Sequence, residues 1–114
     1  MTKLRWKNFL LPALYYAVIL SISLLPRSQV QAVHEIIPLP NDKVLHLAVY
    51  AGFGFVLGGL PYPSIAVGTA GSLLAAADEQ IQRLASGRDV SLADWLADLL
   101  GISLGLAWRR RSRP

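Results

Sequence analysis

The chain has 114 residues, 54% of them apolar, with a mean hydropathy of +0.43 and a formal charge of +4. That length fits one domain spanning residues 1–114, and so apolar a composition exceeds what an ordinary soluble domain carries, which points to a membrane. The lack of cysteine excludes disulfides, thiol nucleophiles and Cys-type zinc sites.

The chain opens on Lys3, Arg5 and Lys7, followed by a first apolar segment at about 9–25. A basic start, an apolar stretch and Val30-Gln31-Ala32 imitate a secretion signal. The length of the apolar stretch and Arg27 before the cleavage-like site favour a retained helix. A second apolar segment, about 44–60, follows Asp42 and Lys43 and contains His46. Its glycines at 52, 54, 58 and 59 read as packing surface for close helix approach. The short GGLPYP stretch then forces a hairpin, with Pro61 and Pro63 as punctuation.

A third segment, about 62–80, is diluted by Gly68, Gly71 and Ser72 and ends on Asp78, Glu79, Gln80 and Gln82. Arg83 and Arg88 lead to Ser91 and a fourth segment, about 91–108, which holds Asp94, Asp98 and the Gly101/Gly105 pair. It closes on Arg109, Arg110, Arg111 and Arg113. At 1.5 Å per residue such segments reach about 24 to 28 Å, the short end for crossing a hydrocarbon core. Basic residues flank both ends of the chain, and an even number of spans brings both ends to the cytoplasmic side. The expected fold is therefore all-α: a polytopic membrane protein of four transmembrane helices in an antiparallel bundle, both termini cytoplasmic. The charges abut apolar segments, with no aromatic-rich reading surface beside them, so no nucleic-acid partner is expected.

In this topology the ionisable groups converge on the outer face. Asp42, Lys43 and His46 start helix two, Asp78, Glu79 and Gln82 end helix three, and Arg88, Ser91, Asp94 and Asp98 lead into helix four. Structural explanations compete at several positions. Asp42 suits a helix cap, and Ser91 with Asp94 suits a capping box. His46 suits a packed, hydrogen-bonded side chain. Asp78 and Glu79 face the unfavourable end of a helix dipole and call for cations such as Lys43, Arg83 or Arg88. Asp98 is the least comfortable: it lies about 10 Å into its helix, where a lone carboxylate costs about 2.5 to 3.5 kcal/mol. A shared proton, a hydrogen bond to His46 or an ion pair with Lys43 or Arg88 would each relieve it, and each requires Asp98 to face the bundle interior.

Three blocks, DKVLH at 42–46, DEQIQ at 78–82 and GRDVSLADWLADLLGISLG at 87–105, follow in order. In them the chain resembles the VanZ-like family of bacterial membrane proteins, whose pattern reads D-K-x-x-H, D-E-x-x-Q and R-x-x-S-x-x-D-x-x-x-N-x-x-G. Asp98 departs from it, standing where the family usually has Asn; a protonated Asp imitates Asn, an ionised one does not. The resemblance implies a small multi-pass protein of the bacterial plasma membrane, linked to glycopeptide antibiotic tolerance.

Two functional expectations follow. In the first, the cluster binds or processes a lipid headgroup or lipid-linked envelope precursor. His46, Glu79 and Asp94 are then the candidate catalytic groups, moving protons. Asp42, Lys43, Asp78, Gln82, Arg88, Ser91 and Asp98 are the candidate substrate-binding groups. Whether the chain is an enzyme stays open, and no serine or cysteine nucleophile motif supports a covalent route. No cofactor or metal is expected; His46, Glu79 and Asp94 are ligand types, but a single histidine in the apolar segments makes a metal the weaker idea. In the second, the protein is a non-catalytic accessory or immunity-type factor whose polar cluster only ties the helices together.

Overall fold

The computed structural model of the chain describes residues 6–24, 42–85 and 92–112. These form a 3-10 turn, Trp6–Phe9, and four α-helices: α1 (Leu10–Ser23), α2 (Asp42–Leu57), α3 (Ser64–Ala85) and α4 (Leu92–Arg111). Among the described residues every element is helical, as the apolar spacing predicts.

Local chemistry sets several boundaries. Pro12 lies in the first turn of α1, where a backbone N–H has no intrahelical partner to lose. Leu24 closes α1 by donating its N–H to the Leu20 carbonyl at 3.0 Å. At the end of α2, the Gly59 and Leu60 amides bond three residues back, to Val56 and Leu57, which tightens the last turn. The Pro63 carbonyl then accepts from Ala66 and Val67 and starts α3.

Two helices outrun the apolar segments that predict them. α3 continues to Ala85 instead of ending near 80, because Asp78 and Gln82 prolong the buried stripe of Val67, Gly71 and Ala75. α4 continues to Arg111, where Arg109 donates to the Phe55 carbonyl and Arg110 to the Leu60 carbonyl and Ser64 hydroxyl. Hydropathy ends a helix where apolar residues stop; packing does not.

Consecutive helices run antiparallel. Tyr50 of α2 meets Asp78 of α3 near one end of the bundle, and Gly71 lies against Leu57 further along. The alternation leaves α2 and α4 parallel, and these two make the tightest contact. A Cβ on Gly105 would stand 1.8 Å from the Ala51 carbonyl oxygen, one on Gly101 2.5 Å from that of Leu47, and one on Gly54 2.2 Å from that of Ile102. Backbone meets backbone there, as small residues at four-residue spacing allow.

The core is aromatic where α1 docks. Phe53 is fully buried, with the Tyr15 and Tyr16 rings stacked on it at 5.7 and 5.6 Å and the Tyr50 ring edge-on at 6.0 Å. The two α1 tyrosines keep their hydroxyls bonded, Tyr15 donating to the Val49 carbonyl and Tyr16 to that of Leu74, both at 2.6 Å. Trp95 ties α4 to α3 through its indole N–H and the Ser72 carbonyl, 3.3 Å apart.

Each interior stripe changes character along its length. Toward one end it carries Ser23 on α1, His46 on α2, Asp78, Glu79 and Gln82 on α3, and Asp94 and Asp98 on α4; toward the other it is Phe53, Leu57, Val67, Ile102 and Leu106. The outside is the reverse. Leu92, Leu96, Leu100, Leu104 and Trp108 make an exposed apolar stripe along the whole of α4. Among the described residues, no helix is both long and apolar enough to cross a membrane. The 14 residues of α1 and 16 of α2 make short helices, and α3 and α4 carry the acids.

Candidate functional site

The polar end of the bundle divides into two groups with different chemistry. The first centres on Asp78, which is almost wholly buried. The Ser23 hydroxyl donates to Asp78 Oδ1, and the Tyr50 hydroxyl to Oδ2 at 2.7 Å. The Gln82 amide donates to Ser23 Oγ at 3.1 Å and reaches Asp78 Oδ2 at 3.5 Å. Neutral donors from α1, α2 and α3 therefore surround one carboxylate. No basic side chain contributes to these bonds, although the dipole argument calls for one. Hydroxyls and an amide satisfy the acid without burying a second charge.

The second group is one helical face away. His46 Nδ1 lies 2.7 Å from Asp98 Oδ1, a hydrogen bond from α2 to α4, and 3.6 Å from Glu79 Oε1 on α3. Of the three ways to relieve Asp98, the bond to His46 is formed; the Lys43 and Arg88 side chains lie outside the described residues. Asp98 is fully buried, Glu79 is 6% exposed, and the His46 side chain retains 13% exposure, so the histidine is the group nearest to the surroundings. Both Glu79 oxygens and Asp98 Oδ2 lack a hydrogen-bond partner among the described residues. Buried acceptors are seldom left so, since an unmade bond at a buried polar atom costs about 1 to 3 kcal/mol. Asp98 holds the imidazole in place, and Glu79 offers its oxygens beside it. This is the geometry of an oriented proton-exchanging histidine with a second acidic group at its side.

The remaining expected site residues are distributed as follows. Asp94, in the first turn of α4, is buried one turn before Asp98 on the same face. Asp42 and Lys43 open α2, but their side chains lie outside the described residues, as do Arg88 and Ser91 altogether. Arg83 is exposed. The fold thus brings His46, Glu79 and Asp98 together and turns Asp78 and Gln82 to a separate task. Sequence reasoning did not find Ser23 and Tyr50. Tyr50 had a signal, since it follows His46 by one helical turn and is a hydroxyl-bearing side chain in an otherwise apolar helix.

The arginine end carries other chemistry. Arg109 stacks over the Phe55 ring at 4.8 Å, and an open hollow along α4 is lined by Leu104, Ala107, Trp108 and Arg111. It is a helix length away from His46. Compared with protein-family models, with curated proteins and with solved structures, the chain matches none of them. The VanZ-like resemblance therefore rests on its three sequence blocks.

Proposed function

We propose that this chain is a VanZ-like integral membrane protein of the bacterial plasma membrane. In this reading, four helices cross or embed in the bilayer, both termini are cytoplasmic, and the polar end lies at the outer membrane–water interface. There His46, Glu79 and Asp98 bind a lipid headgroup or a lipid-linked envelope precursor. His46 and Glu79 face the ligand, and Asp98 positions His46. The observation that carries the proposal is the inverted polarity of the fold: acids inside, leucines outside. Ionisable residues in membrane helices face the bundle interior or a cavity, and mark functional paths. The helices fall short on average hydropathy because inward-facing acids count against α3 and α4, whereas lipid meets the outward leucines. Short helices are accommodated by bilayer thinning and by flanking residues that reach the interface. The arginines at the far end support a cytoplasmic assignment of that end.

The second reading, a cluster that only ties helices, has one observation in its favour: Asp78 does that with every hydrogen bond made. Glu79 does not fit it. The two readings separate when His46→Ala and Glu79→Gln are expressed in a bacterial host, and membrane-fraction abundance is measured beside teicoplanin susceptibility. The site reading expects near-normal abundance with the susceptibility phenotype lost. A parallel collapse of abundance and phenotype would leave only the structural role.

A further inference from the structure

The space between His46, Glu79 and Asp98 has a chemistry of its own. One ligand-type atom from each of the three lies within 4.8 Å of the others. Ligand atoms held about 2.0 to 2.2 Å from one tetrahedral metal ion stand about 3.3 to 3.6 Å apart. Of the separations from His46 Nδ1, the 3.6 Å to Glu79 meets that range, while the 2.7 Å to Asp98 is a hydrogen-bond distance that an ion between the two would have to open. The second observation is independent of the spacing. Glu79, more than nine-tenths buried, has no hydrogen-bond partner for either oxygen among the described residues, and Asp98 Oδ2 has none. Two such carboxyl groups beside one imidazole make a poorly solvated set of oxygen and nitrogen donors that a dication would satisfy, displacing any proton the acids hold.

We infer that His46, Glu79 and Asp98 form a binding site for a divalent first-row transition cation, held by one imidazole nitrogen and two carboxylate oxygens from α2, α3 and α4. This donor set suits zinc or manganese; the chain has no thiolate ligand, and the imidazole sets the site apart from the all-oxygen sites of calcium. Three protein ligands leave a coordination position open, as in zinc sites that handle a substrate rather than only brace a fold. That open position would take an anionic oxygen of the headgroup, a step that rests on the functional reading above. It also gives an acid-rich site a means of holding a negatively charged group. The cation site itself stands without that reading.

The test uses the full chain in detergent micelles, stripped with a chelator, with zinc ion as the probe. Zinc binding is followed by titration calorimetry and by metal content after dialysis. Wild type should retain a single zinc ion per chain and unfold at a higher temperature with it. Glu79→Gln and Asp98→Asn should each weaken binding by about tenfold or more, the scale reached even by loss of outer-shell partners. Asp78→Asn, which alters the neighbouring acid in the other group, should keep the wild-type affinity. Helicity and monodisperse elution certify each variant, and Glu79→Gln decides if Asp98→Asn does not fold. The inference is overturned if folded wild type retains no zinc, or if Glu79→Gln binds as wild type does. Equal loss in Asp78→Asn also overturns it, because the metal would then be answering diffuse negative charge. Zinc bound by wild type with an unchanged susceptibility phenotype in Glu79→Gln would sink the headgroup reading and leave the cation site standing.

Discussion

Asp78 and Glu79 are consecutive on α3 and both more than nine-tenths buried, yet Asp78 accepts bonds from Ser23 and Tyr50 while the Glu79 oxygens accept none among the described residues. The difference predicts opposite responses to substitution. Asp78→Leu strands the Tyr50 hydroxyl and removes the acceptor of the Ser23 hydroxyl, and a buried group left unsatisfied costs about 1 to 3 kcal/mol. Unfolding in mixed micelles should therefore show a marked loss of stability, and Tyr50→Phe a smaller one. Glu79→Gln keeps the size of a side chain whose oxygens accept no hydrogen bond among the described residues, so in metal-free protein it should unfold no earlier than wild type; functional sites commonly trade stability in this way. An early-unfolding Glu79→Gln would assign that carboxylate to the framework. Much of this was legible in the sequence. The depth of Asp98 required an interior partner, and His46 was among those foreseen. The Asp78 partners were not, because a tyrosine and a serine in apolar helices read as packing, and because dipole reasoning looked for cations where hydroxyls sufficed.

Among the elements, the contact between α2 and α4 has the least tolerance. Gly105 packs on the Ala51 carbonyl so closely that a methyl group has no room, whereas a Cβ on Gly68 would meet only a Leu106 methyl at 3.7 Å. Gly105→Ala should cost about 1 to 3 kcal/mol or more, since overpacking a fitted contact displaces backbone. Gly68→Ala should be close to neutral, and the same unfolding assay distinguishes them. The Gly101/Gly105 spacing announced a packing seam in the sequence. Its partner did not follow from spacing alone, because α2 is separated from α4 by a whole helix and runs parallel to it. Apolar runs understate the ends of α3 and α4 for one physical reason. Asp78, Gln82, Arg109 and Arg110 are polar, yet they pack or bond inward, so α3 and α4 extend beyond their apolar segments.

Taken whole, the molecule sorts its residues by direction rather than by depth along the chain. Ionisable groups gather at one end of the interior, arginines bind the α2–α3 turn at the other, and leucines face outward between them. Composition alone conveyed the excess of apolar residues; only the fold conveys that the excess lies outside. In water such a surface would drive association, since large exposed apolar patches mark contact with lipid or with partners. The membrane reading thus makes a prediction about the surroundings of those leucines, and a chain without cysteine allows a clean test. Single cysteines at Val18, Leu73 and Leu104, each more than half exposed, are introduced one at a time and treated with a water-soluble maleimide in intact cells and in opened membranes. The account predicts that all three resist labelling in both preparations, while Ser112→Cys beside the arginines labels only once the inner face is opened. Rapid labelling of Val18→Cys, Leu73→Cys and Leu104→Cys in opened membranes would show that water, not lipid, covers the outward leucines, and would contradict it.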